Sequence, residues 1–163
     1  MGDQTIMDVI NPNDIRVAAM NLLARREHLH EELLQKLLKR FGSTSLSDIQ
    51  QALVALAEEG LQSDTRYIDS YIRQRSGRGY GPERLRQELR QKGVSGEQLQ
   101  IALDGADVDW WNLARQCRLK KFDSVQPQDF KDRAKQLRYL QYRGFRGDMA
   151  SAAFEPAADA LEP

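Results

Sequence analysis

The chain has 163 residues, of which 40% are hydrophobic and 29% charged, with five prolines and a formal net charge of zero. That balance excludes a disordered polymer and describes a folded chain rich in helix. No window approaches the roughly 20 apolar residues of a membrane span. The first residues lack the basic and apolar regions of a secretory signal, and Ile6 stands where a myristoylation signal needs Ser or Thr. One cysteine, Cys117, rules out an internal disulfide and fits a cytoplasmic protein.

The predicted elements are short helices. Residues 1–13 are expected to be flexible. Ile15 to Arg26 carries Ala18, Ala19, Leu22 and Leu23 at helical spacing, and His30 to Arg40 carries Leu33, Leu34, Leu37 and Leu38. Ser45 to Glu59 follows with Ile49, Leu53 and Leu56, and Gly60 is placed to stop it. Asp64 reads as the N-cap of a helix bearing Ile68, Tyr71 and Ile72. The glycines of G-R-G-Y-G (Gly77, Gly79, Gly81) permit a tight reversal. Pro82 suits the first helical position, Leu85 and Leu89 mark a buried stripe, Arg84 and Glu88 are spaced to pair, and Gly93 closes the helix. Helices around Leu99–Leu103, from Asp109 to Lys121, up to Leu140, and around Ala150–Phe154 complete the series. Residues 155–163, with three acids and two prolines, are expected to be a flexible acidic tail. Sustained apolar–polar alternation is absent, so strands are not expected.

Aligning helix ends reveals a repeat. Leu33–Leu37–Arg40–Phe41 corresponds to Leu85–Leu89–Lys92–Gly93, and Leu89–Lys92–Gly93–Val94 to Leu140–Arg143–Gly144–Phe145, with a period near 51. The chain therefore reads as all-α, with three tandem three-helix repeats over 14–62, 63–106 and 107–154. One such unit is too small to bury a stable core alone, so stacking is expected to give an elongated, curved array.

Enzymatic sites do not assemble. The glycine run lacks the Gly-Lys-Ser/Thr ending of a P-loop and follows a helix instead of a strand. His28 and His30 point apart on a helix and are expected to be exposed or capping, with no zinc set around them. Cys117 has no nearby base and reads as a buried thiol. Trp110 and Trp111 diverge by about 100° on a helix, so one is expected to pack against the preceding unit and the other to stay partly exposed. No catalytic residue, metal or cofactor is assigned.

The charges carry the functional signal. Residues 1–65 are net −4, residues 66–147 net +8 and residues 148–163 net −4. Arg73, Arg75 and Arg78 crowd the glycine turn, followed by Arg84, Arg86, Arg90 and Lys92. The third repeat adds Arg115, Arg118, Lys120, Lys121, Lys131, Arg133, Lys135, Arg138, Arg143 and Arg146, with Tyr80, Tyr139 and Tyr142 interleaved. Arginine among aromatics suits phosphate contact with base stacking, or an acidic protein groove. The residues assigned to a partner or DNA surface are Arg73, Arg75, Arg78, Tyr80, Arg84, Arg86, Arg90, Lys92, Lys120, Lys121, Arg138, Tyr142 and Arg143.

YIRQRSGRGYGPERLRQELRQKGVS, followed by DVDWWNLARQC and KQLRYLQYRGF, resembles the bacterial RecX family of recombinase regulators. The likeness spans about residues 15–155, with ARREHLHEELLQKL as its counterpart in the first repeat. It implies three three-helix repeats and a protein that binds the RecA recombinase; no heptad run suggests a coiled coil, and a monomer is expected. In the family the protein lodges in the groove of the RecA filament on single-stranded DNA and inhibits ATPase, strand exchange and coprotease activity, in DNA repair and the SOS response. Some members also bind free DNA. The alternative reading from the residues alone is a helical module acting directly on single- or double-stranded DNA.

Overall fold

The computed structural model describes residues 9–123 and 126–156. Among them are α-helices and no strand: α1 (Pro12–Arg25), α2 (His30–Phe41), α3 (Leu46–Glu58), α4 (Asp64–Gly77), α5 (Pro82–Gln91), α6 (Gly96–Asp104), α7 (Trp110–Phe122), α8 (Phe130–Tyr142) and α9 (Gly147–Ala152). No described helix is long and apolar enough to cross a membrane. The chain divides into two compact units, the boundary falling within α4 after Tyr67. Of the segments expected to be flexible, residues 1–8 and 157–163 lie outside the described residues.

The first unit is built on α1, α2 and α3, which pack pairwise around Ile15, Ala18, Ala19, Leu33, Leu37, Ile49, Leu53 and Leu56. Helix α1 begins at Pro12, inside the segment expected to be flexible. The Asn11 side chain accepts the Asn13 N–H at 3.0 Å, and Pro12 gives up no helical hydrogen bond at the first position. Helix α2 follows Leu29, which has no capping group of its own. Asp64 serves instead: its carboxylate accepts the His30 N–H at 2.8 Å and the Gln62 amide at 2.8 Å. The cap of α4 is therefore Ser63, whose hydroxyl accepts the Arg66 N–H at 3.2 Å. The expected cap on Asp64 is thus displaced by one residue, because Asp64 is committed to α2.

His28 is buried, at 2% exposure, where an exposed or capping role was expected. Its Nδ1 lies 3.0 Å from the Arg26 carbonyl and its Nε2 3.1 Å from Lys36 Nζ. A carbonyl on one side and an ammonium on the other set the neutral ring with its proton on Nδ1. Burial holds its pKa below the ordinary histidine value.

The second unit contains α5 to α9 and most of α4. Ile68, Ile72, Leu85, Leu89, Val94, Leu99 and Leu103 are buried along α4–α6. Helices α7, α8 and α9 enclose Ala114, Cys117, Leu140, Phe145, Met149, Ala150, Ala153 and Phe154. Trp110 packs on this third-repeat core, and Trp111 stays 45% exposed, the partly exposed member of the pair. Capping side chains start α6, α7 and α8: Ser95, Asp109 and Asp129 accept N–H groups from Gln98, Asn112 and Asp132.

The repeated ending seen in the sequence is a repeated hydrogen-bond pattern. The Val94 N–H returns to the Leu89 carbonyl and the Phe145 N–H to the Leu140 carbonyl, each at 3.1 Å. Both turns pass through a glycine in the left-handed region, Gly93 at φ 89° and Gly144 at φ 101°. In the first repeat the turning glycine falls one position later: Gly42, directly after α2 ends at Phe41.

Arg118 does not reach the surface with the other cations. It is 2% exposed, donating to the Ala153 carbonyl at 3.1 Å and the Gln136 side chain at 3.2 Å, with its guanidinium over Phe154. Burial, then the neighbouring Arg133, lower its pKa. It closes the C-terminal end of α9 from within the core. Arg118→Met should therefore lower unfolding free energy by about 2–3 kcal/mol, the scale of hydrogen bonds to a charged group. Arg138→Met, on the exposed face of α8, should stay within about 0.5 kcal/mol in the same urea titrations.

Candidate binding site

The site begins at the ends of two helices. Helix α5 starts with N–H groups that have no helical acceptor, and α8 ends with carbonyls that have no helical donor. Here the two ends meet. The Gly81 N–H donates to the Arg143 carbonyl at 2.7 Å and the Glu83 N–H to the Gly144 carbonyl at 3.0 Å. Pro82, between them, has no N–H to satisfy. The positive end of one helix dipole also faces the negative end of the other.

This approach is close enough to forbid side chains. A Cβ on Gly81 would stand 2.5 Å from the Gly144 carbonyl oxygen, and one on Gly144 would stand 2.5 Å from Arg84 Cβ. Only Gly79 of the three turn glycines has φ > 0, at 83°. The other two thus differ from the expectation that all three bend the chain: Gly81 is required by contact, and Gly77 faces open space.

Tyr80 sits at the hub. The guanidinium carbons of Arg75, Arg143 and Arg84 lie 3.9, 4.4 and 4.6 Å from its ring centroid. Arg84 also stacks on Tyr142 at 5.0 Å and donates to its carbonyl at 3.2 Å. Arg143 donates to the Arg78 carbonyl at 3.1 Å, while its Nε is buried without an acceptor. Glu88 offsets part of this charge. It receives Arg75 at 2.6 Å, the Tyr71 hydroxyl at 2.6 Å and Arg84 at 3.2 Å. Burial alone would raise the Glu88 pKa, but the hydrogen bonds from Arg75, Tyr71 and Arg84 overcome it and hold the carboxyl at about 2.

Beside the hub lies an open cleft of about 400 Å³ lined by Arg78, Gly79, Cys117, Lys120, Lys121 and Arg143, with Tyr139 on its wall. The Cys117 thiol donates to the Gly79 carbonyl at 3.4 Å. Burial pushes its pKa up, against the opposing fields of Arg143 and Lys120. It is a buried thiol, as expected, yet it also forms part of the cleft lining.

The structure thus sorts the thirteen assigned residues. Arg75, Tyr80, Arg84, Tyr142 and Arg143 come together at the joint. Arg78, Lys120 and Lys121 join Arg143 at the cleft. Arg73 lines a separate groove with Asp69 and Asp107. Arg86 is half-buried against Glu83 and Gln100. Arg90, Lys92 and Arg138 are exposed on α5, the turn after it, and α8. Tyr71 and Cys117 belong to the site but were not assigned to it. Tyr71 lies one turn before Arg75 on α4, which was a usable signal. Nothing local marks Cys117 as facing the glycine turn.

These features define a class: a helical-repeat protein whose repeats are locked by a backbone joint and which presents uncompensated basic side chains. Models for the second and third three-helix domains of RecX match residues 63–103 and 107–154. The chain is 49% identical over 138 residues to a regulatory protein RecX from Pseudomonas putida (strain GB-1), covering 85% of this chain and 87% of that one. It is 45% identical over 139 residues to that of Ectopseudomonas mendocina (strain ymp), covering 85% and 91%. The fold matches a crystal structure of RecX from Lactobacillus salivarius with TM-score 0.73 at 19% identity, over 87% of this chain and 93% of that one. A second crystal structure of a regulatory protein RecX aligns with TM-score 0.71 at 22% identity, over 86% and 71%. The chain belongs to the RecX family.

Two measurements check the joint. Gly81→Ala and Gly144→Ala should each lower stability by more than about 2 kcal/mol, since backbone must move. Gly93→Ala, with φ 89° but nothing within 4 Å, should cost only about 1 kcal/mol. Glu88 supplies the second. Its folded pKa lies below the unfolded value of 4.5, so its stabilisation is complete above that value and is lost as pH falls toward about 2. Unfolding free energy should fall by about 3 kcal/mol across that window on its account, and Glu88→Gln should flatten this part of the profile.

Proposed function

We propose that this chain binds the RecA recombinase filament as a monomer, and inhibits its ATPase, strand-exchange and coprotease activities in DNA repair and SOS regulation. The observation that carries the reading is 45–49% identity, over 85% of the chain, to proteins named regulatory protein RecX. A regulator needs a binding surface and no catalytic group, and the three repeats, taken as 14–62, 63–106 and 107–154, serve as that surface.

The charge distribution supports a polyanionic or acidic target. Arg73, Arg78, Arg90, Lys92, Lys120, Lys121 and Arg138 are exposed, and none has a carboxylate partner among the described residues. Their charge is free to meet acidic filament surface and the phosphates of the single strand within it. Bound there, the protein would obstruct subunit addition or the rearrangements tied to ATP hydrolysis.

The test is the DNA-dependent ATPase of the recombinase, titrated with this protein below stoichiometry. Inhibition is expected, and Arg73→Glu with Arg90→Glu should raise the amount needed for half-inhibition about tenfold, roughly 1.4 kcal/mol. Both residues lie outside the joint, so thermal unfolding should be unchanged. Absence of inhibition at every ratio, together with clean salt-steep binding to bare DNA, would replace this reading with a DNA-binding module.

A further inference from the structure

We propose that the cleft between α7, the end of α8 and the α4–α5 turn is a phosphate site that takes the backbone of a single nucleic-acid strand. The inference deepens the reading above by giving the nucleic-acid contact one location, and its test needs no recombinase.

The first observation is what the cleft lacks. Elsewhere the molecule pairs many of its arginines: Arg16 with Glu59, Arg26 with Glu32, Arg66 with Glu27, Arg75 and Arg84 with Glu88. The cleft gathers Arg78, Lys120, Lys121 and Arg143 with no carboxylate in its lining. None of the four is ion-paired among the described residues. Four like charges lining one recess repel one another, and an entering anion relieves that repulsion.

The second observation is that the charges are positioned. Lys120 and Lys121 occupy the last turn of α7, where the helix dipole favours cations. Arg143 is held by its hydrogen bond to Arg78 and by the Tyr80 ring, so its guanidinium fork is organised before any ligand arrives. Leu113, Gly79 and the Cys117 thiol give the recess a partly apolar lining, which strengthens charge pairing.

The third observation selects the ligand. The recess, about 400 Å³, is the size of a small-molecule pocket and takes a phosphate with its sugar, a fit that a flexible single strand reaches without deforming a helix. Tyr139 stands on the wall beside Lys121 and Arg143, with ring centroids 5.7 and 5.8 Å from the two cations. Cation next to aromatic ring is the pairing that holds a flexible strand by phosphate and base together. The ring also meets Phe122 edge-on at 5.4 Å, and an acidic peptide would use the charges but bring no base to lie beside this aromatic pair.

The experiment is fluorescence anisotropy of a labelled oligothymidylate with the full chain. Lys120→Gln with Lys121→Gln should weaken binding about tenfold and reduce the slope of log affinity against log salt by about 1.4. Lys131→Gln with Lys135→Gln removes the same charge from α8 outside the cleft lining, and should change affinity less than about threefold. Equal losses in both pairs would overturn the proposal in favour of a diffuse field. So would equal binding of a duplex, stronger competition by a polyglutamate peptide, or no binding of the oligonucleotide at low salt. A 5′-phosphate on the oligonucleotide should not matter. A strong preference for it, or displacement by millimolar inorganic phosphate, would overturn backbone recognition and leave a terminal or free phosphate as ligand. Independently of any variant, bound oligonucleotide should slow alkylation of Cys117 by a maleimide, and an unchanged rate would count against the site. ATPase inhibition surviving the loss of oligonucleotide binding would separate this failure from that of the regulatory reading.

Discussion

The carbonyl end of α8 pressed onto the N–H end of α5 is the constraint on which the second unit depends. Helix ends are unsatisfied by construction, and most proteins complete them with capping side chains or water. Here two ends complete each other, with Gly81 and Glu83 donating to Arg143 and Gly144. The backbone contact dictates glycine at 81 and 144 and tolerates proline at 82. It brings Tyr80 into reach of Arg143 and so sets the hub of stacked guanidinium groups. It also places the cleft, because Arg78 and Gly79 precede the contact while Arg143 is part of it.

Around that contact, arginine and lysine divide the work by their chemistry. A guanidinium can lie flat on a ring and donate sideways at the same time, which is what Arg75, Arg84 and Arg143 do around Tyr80 and Tyr142. Arg118 uses the same fork inside the third repeat to hold the end of α9. Lysine has no planar fork to lie flat and donate sideways at once, and Lys92, Lys120 and Lys121 stay at the surface as point charges, Lys92 and Lys121 each beside a tyrosine ring. The net +8 of residues 66–147 is therefore two populations, one structural and one facing outward.

Much of the fold was legible because the signals were local. Apolar residues at helical spacing, together with caps and glycine stops, located the helices, and the Leu-x-x-basic-Gly ending identified a turn whose hydrogen bonds recur at Gly93 and Gly144. Misplaced features were those decided by distant chain. Asp64 has the chemistry of an N-cap for α4, but His30, 34 residues away, claims it. His28 looks like a surface residue beside Arg26 and Glu27, yet it is buried, with Lys36 of α2 at its ring and Gln62 on its carbonyl. Arg118 follows the same basic pattern as Lys120 and Lys121, yet points inward. At the site, sequence located the arginines without revealing that some of them serve a joint: the glycine turn and the Y-R-G-F motif are about 60 residues apart, and nothing in either names the other.

The interlocked glycines also bear on how such arrays grow. In a solenoid held by generic leucine stacking, a repeat can be inserted or lost and its neighbours re-pack. Here the turn after Gly79 fits one particular turn ending in Gly144, through atoms that leave no room for a methyl group. An extra repeat placed between them would have to carry both halves of the match, a turn that accepts and a turn that offers. Repeats 2 and 3 are in that sense a matched pair.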